Sequence, residues 1–162
     1  MTAPTVRRRA AADVDPDRRA AAGLDAPALL DEHVLAVDGA TAWTAERWAR
    51  AMFEDRRPLP ARLLASGPLG LVLTGPRPPG RVAGWGIAAN TARRLVLTRD
   101  LVVAREAVVV DVEDDAVAVL TAIALRPAPV RLATPPLDLL HRVVTPAVLG
   151  RAHAQLAASG PR

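Results

Sequence analysis

At 162 residues the chain is long enough for one domain with a sizeable core, and its 51% hydrophobic content is too high for a disordered polymer. Aromatic residues make up only 2%, so that core must be aliphatic; all 21 basic residues are Arg, and the absence of Lys and Cys removes Schiff-base lysines, phosphate-cradling lysines, disulfides, thiolate nucleophiles and cysteine-ligated metal centres. The formal net charge of +4 is modest, and the sequence pI of about 11.2 reflects the lack of groups that titrate between His and Arg rather than a large basic excess.

Residues 1–27 mix Arg with Asp, Ala and Pro and show no apolar face, which predicts a disordered leader followed by a single domain over 28–162. The Arg7, Arg8, Arg9 run is followed by acids where a signal peptide would be apolar, and no uncharged run is long enough to span a bilayer, so a cytoplasmic protein without membrane contact is expected. Residues 32–38 suit a first strand ending at the Gly39 turn. Thr44 suits the N-cap of a helix through Glu54, with Trp48, Ala51 and Met52 on one buried face. A second short helix is expected from Pro58 or Pro60 to about Ser66. Apolar runs at 82–88, 95–98, 101–112 and 116–125, separated by turn-like stretches, predict an antiparallel meander rather than a βαβ alternation.

The last two runs carry the most detail. A tight turn at Glu113, Asp114, Asp115 and Ala116 sets Val112 opposite Val117, Val110 opposite Val119, Val108 opposite Thr121, Glu106 opposite Ile123 and Ala104 opposite Leu125. That face is apolar except for Glu106 and Thr121 and should look inward, leaving Arg105, Asp111, Ala118, Ala122 and Arg126 on the outer side. After a Pro-rich connection, residues 137–158 place Leu137, Leu140, Val144, Val148 and Leu156 along one face of a long C-terminal helix, in which Pro146 should produce a kink or brief break.

The fold class expected from this order is α+β: a curved antiparallel sheet, two short helices after strand one, and a long C-terminal helix. Three segments add to the pattern: Trp48-Ala49-Arg50-Ala51-Met52-Phe53, Ala83-Gly84-Trp85-Gly86-Ile87 and His141-Arg142-Val143-Val144-Thr145-Pro146. In order and rough spacing they resemble an actinobacterial family of domains of unknown function within the START-like, polyketide-cyclase-like superfamily, also called SRPBCC or Bet v-like, over about residues 32–157. The resemblance implies a helix-grip fold of the kind found in small-ligand carriers and cyclases; it implies no established reaction and carries over no catalytic residue.

Gly84-Trp85-Gly86-Ile87-Ala88-Ala89 formally fits the dinucleotide pattern G-x-G-x-x-A, but residues 90–94 leave too little chain for the helix that must follow; a glycine-relieved bend in a strand, with Trp85 packed on a helix, accounts for it better. His33, His141 and His153 form no recognisable metal-ligand set, and no cofactor is implied. Asp138 precedes His141 by three residues and could orient its ring, or could pair with Arg142 at i, i+4 instead. Glu106, a carboxylate on an apolar face, must be paired with an Arg, protonated or ligand-facing. Arg residues interleaved with acids, and no row of aromatic platforms, argue against nucleic acid.

The favoured reading is a pocket for a small apolar ligand lined by Trp48, Phe53, Trp85, Val108, Thr121 and Leu140. The alternatives are a cyclase- or lyase-type enzyme using Glu106 and His141 for proton transfer, and a protein-interaction domain without a ligand. Oligomeric state is not encoded in any feature of the sequence.

Overall fold

The computed structural model describes residues 5–54, 80–126 and 134–160. Among these residues its frame is a curved seven-stranded antiparallel sheet in the order β1-β2-β7-β6-β5-β4-β3, with three α-helices, the last at the C-terminal end. The strands are β1 (Val6–Arg9), β2 (Leu29–Ala36), β3 (Arg81–Val82), β4 (Trp85–Asn90), β5 (Arg94–Asp100), β6 (Ala104–Val112) and β7 (Ala116–Leu125). The helices are α1 (Pro16–Ala22), α2 (Ala45–Phe53) and α3 (Thr134–Ser159).

Strands β3 to β7 form the expected meander, and β2 closes on the last of them, so β7 is flanked by β6 and β2. The β6–β7 register is the one the alternation dictates, from Ala104 opposite Leu125 to Val112 opposite Val117. Its inward side, with Leu95 and Leu97 of β5 and Leu35 of β2, packs against Trp48 and Ala49 of α2 and Leu149, Ala152 and Leu156 of α3. Thr44 caps α2 by accepting a 3.2 Å hydrogen bond from the Arg47 amide. The first strand starts three residues earlier than 32–38, because Leu29 fits against Ile123 at the end of β7. The helix expected near 58–66 lies outside the described residues. Helix α3 is continuous across Pro146, with no break near Thr145.

Three expectations change. First, residues 1–27 are not a disordered leader over the described part. β1 pairs antiparallel with β2 from Val6 opposite Leu35 to Arg9 opposite Glu32. α1 starts on the side chain of Asp15, which accepts from the Asp17 and Arg18 amides, carries Pro16 at its first turn, and stops at Gly23 with φ 62°, a left-handed conformation that favours glycine. Second, the outer side of the β6–β7 hairpin is not a solvent face. α1 and the turn before it cover it, and Val14 and Ala22 pack with Val96, Ala107, Val109, Leu120 and Ala122. Third, the Gly84-Trp85-Gly86 segment is part turn and part strand. Ala83 and Gly84, at φ 49° and 89°, form the two-residue turn of the β3–β4 hairpin, and the irregularity in β4 lies instead between Ile87 and Ala89.

What fastens α1 is charge rather than apolar area. Arg18 is 5% exposed and reaches three carboxylates: Asp111 at 2.9 Å, Glu32 at 3.0 Å and Glu113. Arg94 holds Asp111 in a bidentate pair at 2.6 Å, and Arg9 reaches Glu32 at 3.2 Å. Burial by itself weakens the hold of Arg18 on its proton, but the bonds to Asp111 and Glu32 outweigh that and its pKa rises. Removing Arg18 leaves Asp111 to Arg94 and Glu32 to Arg9 alone and cuts α1 from the sheet. Arg18→Ala is expected to lower the unfolding free energy by about 1.5–3 kcal/mol, whereas Arg7→Ala, at an exposed position of β1, should stay within about 0.5 kcal/mol. Urea denaturation followed by tryptophan fluorescence measures both; equal effects would mean that α1 is not held by its ion pairs.

Candidate functional site

The side of the sheet under α3 is aliphatic at one end and polar at the other. In β2 the residues facing α3 are Leu29, Asp31, His33 and Leu35, set opposite Ile123, Thr121, Val119 and Val117 of β7. Asp31 and His33 are each 1% exposed, an unusual state for two ionisable groups two residues apart. Arg8 of β1 lies opposite His33, and its Nε donates to Asp31 Oδ1 while its Nη2 donates to Asp138 of α3 at 2.7 Å. Arg142 grips the other oxygen of Asp138 at 2.6 Å. Arg8 thus ties the edge of the sheet to α3 directly over the two β2 side chains.

His141, one turn along α3 from Asp138, completes this corner. The structure resolves the two readings of Asp138 in favour of pairing with Arg142, shared with Arg8, while His141 Nδ1 is shut from solvent and has no hydrogen-bond partner. Both ring nitrogens of His33 and Asp31 Oδ2 are in the same condition, although His33 Nδ1 and Asp31 Oδ2 lie only 3.4 Å apart. Burial holds the imidazole of His141 below its ordinary pKa; Asp31 and Asp138 pull it up and His33 pushes it further down. His33 is likewise depressed, first by burial and then by Arg8, against the pull of Asp31. Both rings are therefore neutral at pH 7. Among the described residues no three His, Asp or Glu side chains are arranged to hold a metal ion.

Glu106 lies on the same side of the sheet, on β6. By strand spacing and rise, its Cα and that of Asp31 are roughly 12 Å apart, too far for contact. Its carboxylate is already matched: Arg99 donates from Nε at 3.1 Å and from Nη2 at 2.6 Å, both to Oε2. Burial pushes the Glu106 carboxyl up, and Arg99 only partly counters it. Arg99 also lies over the ring of Trp85, 4.6 Å from its centre, so Trp85, Arg99 and Glu106 form one stack across β4, β5 and β6.

The remaining expected lining residues divide. Val108 and Thr121 sit between the two polar groups, 3% and 7% exposed. Trp48 is fully buried, with its Nε1 donating to the Ala40 carbonyl at 3.2 Å, Trp43 edge-on at 5.9 Å and His153 parallel at 6.2 Å; it belongs to the packing under α2. Phe53 is half-buried against the same cluster. The Leu140 side chain lies outside the described residues. A half-open depression of about 340 Å³ occurs elsewhere, beside the end of α1, with Gly23, Asp25, Arg105 and Arg126 in its walls and none of the expected lining residues.

Asp31, His33 and Arg8 were not singled out from the sequence. The signal was present: alternate residues Leu29, Asp31, His33 and Leu35 read as a strand face with a polar centre once the strand begins at Leu29 rather than at Glu32. Compared with protein-family models, curated proteins and solved structures, the chain has no match.

The two histidines give a sign to the acid response. A depressed imidazole pKa means that the unfolded chain takes up protons first, so this part of the stability is whole above about pH 6.5 and is lost as pH falls through the folded-state values. Glu106, with a raised pKa, acts oppositely: its contribution is whole below about pH 4.5 and is lost as pH rises through its folded-state value. Melts between pH 7 and 5 should therefore show His33→Gln and His141→Gln each flattening the acid loss, and Glu106→Gln steepening it. An unchanged slope in both histidine variants would place those rings in water.

Proposed function

We propose that the chain is a small-ligand-binding domain of the helix-grip kind, a cytoplasmic carrier or sensor in which an apolar molecule lies between the curved sheet and α3. The observation that carries this reading is the set of buried polar atoms without partners on an otherwise aliphatic wall under α3. An unpaired buried polar group costs about 1–3 kcal/mol, and a fold keeps several together only where something else completes them. From β2 onward the order of elements supports the same reading: a strand, a helix, an antiparallel meander and a long terminal helix, which packs on β1, β2 and α2. No helix among the described residues is long and apolar enough to cross a membrane.

A second reading, a cyclase- or lyase-type enzyme, is favoured by one observation. Burial moves Glu106 and His141 in opposite directions, each toward its neutral form, which is the arrangement of an acid and a base facing one substrate. The two readings differ in what becomes of the bound molecule.

Native mass spectrometry of the protein purified from its own host tests both. A discrete added mass, lost on denaturation, is the expected result. Recovery of that compound unchanged after prolonged incubation with fresh protein supports a carrier, and its conversion supports the enzyme. A spectrum containing only the bare chain would contradict the ligand-binding reading.

A further inference from the structure

The charges in the corner between β1, β2 and α3 pair off completely. Arg8 and Arg142 stand against Asp31 and Asp138, and His33 and His141 are neutral. Thr121, opposite Asp31 on β7, adds a hydroxyl and no charge. An anion or a cation brought here would be buried beside an already balanced set and left without a counter-charge, so the missing component is neutral.

Hydrogen-bonding capacity narrows the choice further. Asp31 Oδ2 can only accept, whereas a neutral imidazole offers one N–H and one bare nitrogen. Asp31 Oδ2 and His33 Nδ1 are 3.4 Å apart, so one oxygen atom can sit about 2.8 Å from both, donating its proton to the carboxylate and accepting from the ring. A carboxylate has no proton to donate, and an ammonium has no lone pair to accept. An alcohol or phenol has both on one atom.

We infer that the Asp31–His33–His141 corner binds the hydroxyl group of an otherwise apolar molecule. This rests on the small-ligand reading above and assigns the polar end of the ligand to β2 and α3, with its apolar body along Val119 and Val108 toward Trp85. Glu106, matched by Arg99, then faces the far part of the molecule instead of its head.

The test compares three probes with the same chain and different heads: 1-octanol, octanoate and octylammonium, titrated calorimetrically into the full chain at about pH 7.5, where the two ions are fully charged. 1-Octanol should bind at least roughly tenfold more tightly than either ion. Asp31→Asn, checked by a thermal melt, should shrink the preference for octanol over octanoate severalfold by removing the charge that repels the anion. Equal affinities, or a preference for an ion, would overturn the hydroxyl assignment while leaving the pocket in place. Failure of all three to bind would remove the pocket reading and this inference with it.

Discussion

A charge on a sheet covered from both sides has nowhere to go, and this single constraint orders the rest of the molecule. β6 and β7 are buried on the α2–α3 side by an aliphatic core and on the other by α1. Yet Glu106 and Asp111 lie on β6, and Asp31 and Glu32 lie side by side on β2, pointing to opposite faces. Each needs a cation brought to it, and Arg is the only cation this chain has. Arg99 is supplied from the neighbouring strand, Arg18 from α1, and Arg8 and Arg9 from β1. The planar guanidinium suits this work, because one group can satisfy several carboxylates at fixed angles, as Arg18 does for three.

The same constraint exposes the corner where matching is incomplete. On the α1 side the acids Glu32 and Asp111 each receive two arginines. On the α3 side Arg8 satisfies one oxygen of Asp31 and spends its other end on Asp138, leaving Asp31 Oδ2, His33 and His141 Nδ1 buried and without a hydrogen-bond partner. Arg8 is a structural bolt between the sheet edge and α3, and its charge stands against those of Asp31 and Asp138. The functional reading therefore stands on an imbalance between two sides of one sheet.

How much of this the sequence revealed follows from which forces were local. The β6–β7 hairpin was legible residue by residue, because the acidic turn fixes the register and the recurrence of Ala between larger residues along β7 fixes the face. α2 was legible from Thr44 and the Trp48, Ala51, Met52 spacing. The N-terminal segment was not, since a search for apolar faces cannot see a helix whose chief anchor is an arginine buried among acids 14, 93 and 95 positions away. Missing that helix also made Ala118 and Ala122 look like surface residues; both are buried, and Ala122 packs in the cluster under α1. Glu106 was correctly placed on the inward face, but its partner Arg99 comes from β5, and nothing in the local sequence pairs them. Asp31 was lost through a shift in the start of one strand, which left His33 without its polar neighbour on the same face; polar pairs on alternate residues carry information only when the strand boundary is right.

The central claim is that the corner formed by Asp31, His33 and His141 is incomplete without a bound molecule. A high-resolution crystal structure of the chain purified from its own host addresses it most directly. The account predicts an ordered oxygen within hydrogen-bonding distance of both Asp31 Oδ2 and His33 Nδ1, joined to apolar density running along β7 and β6 toward Trp85. A corner in which Asp31 and His33 bond directly to each other or to other side chains, with α3 packed flat upon them and no room for a guest, would contradict it.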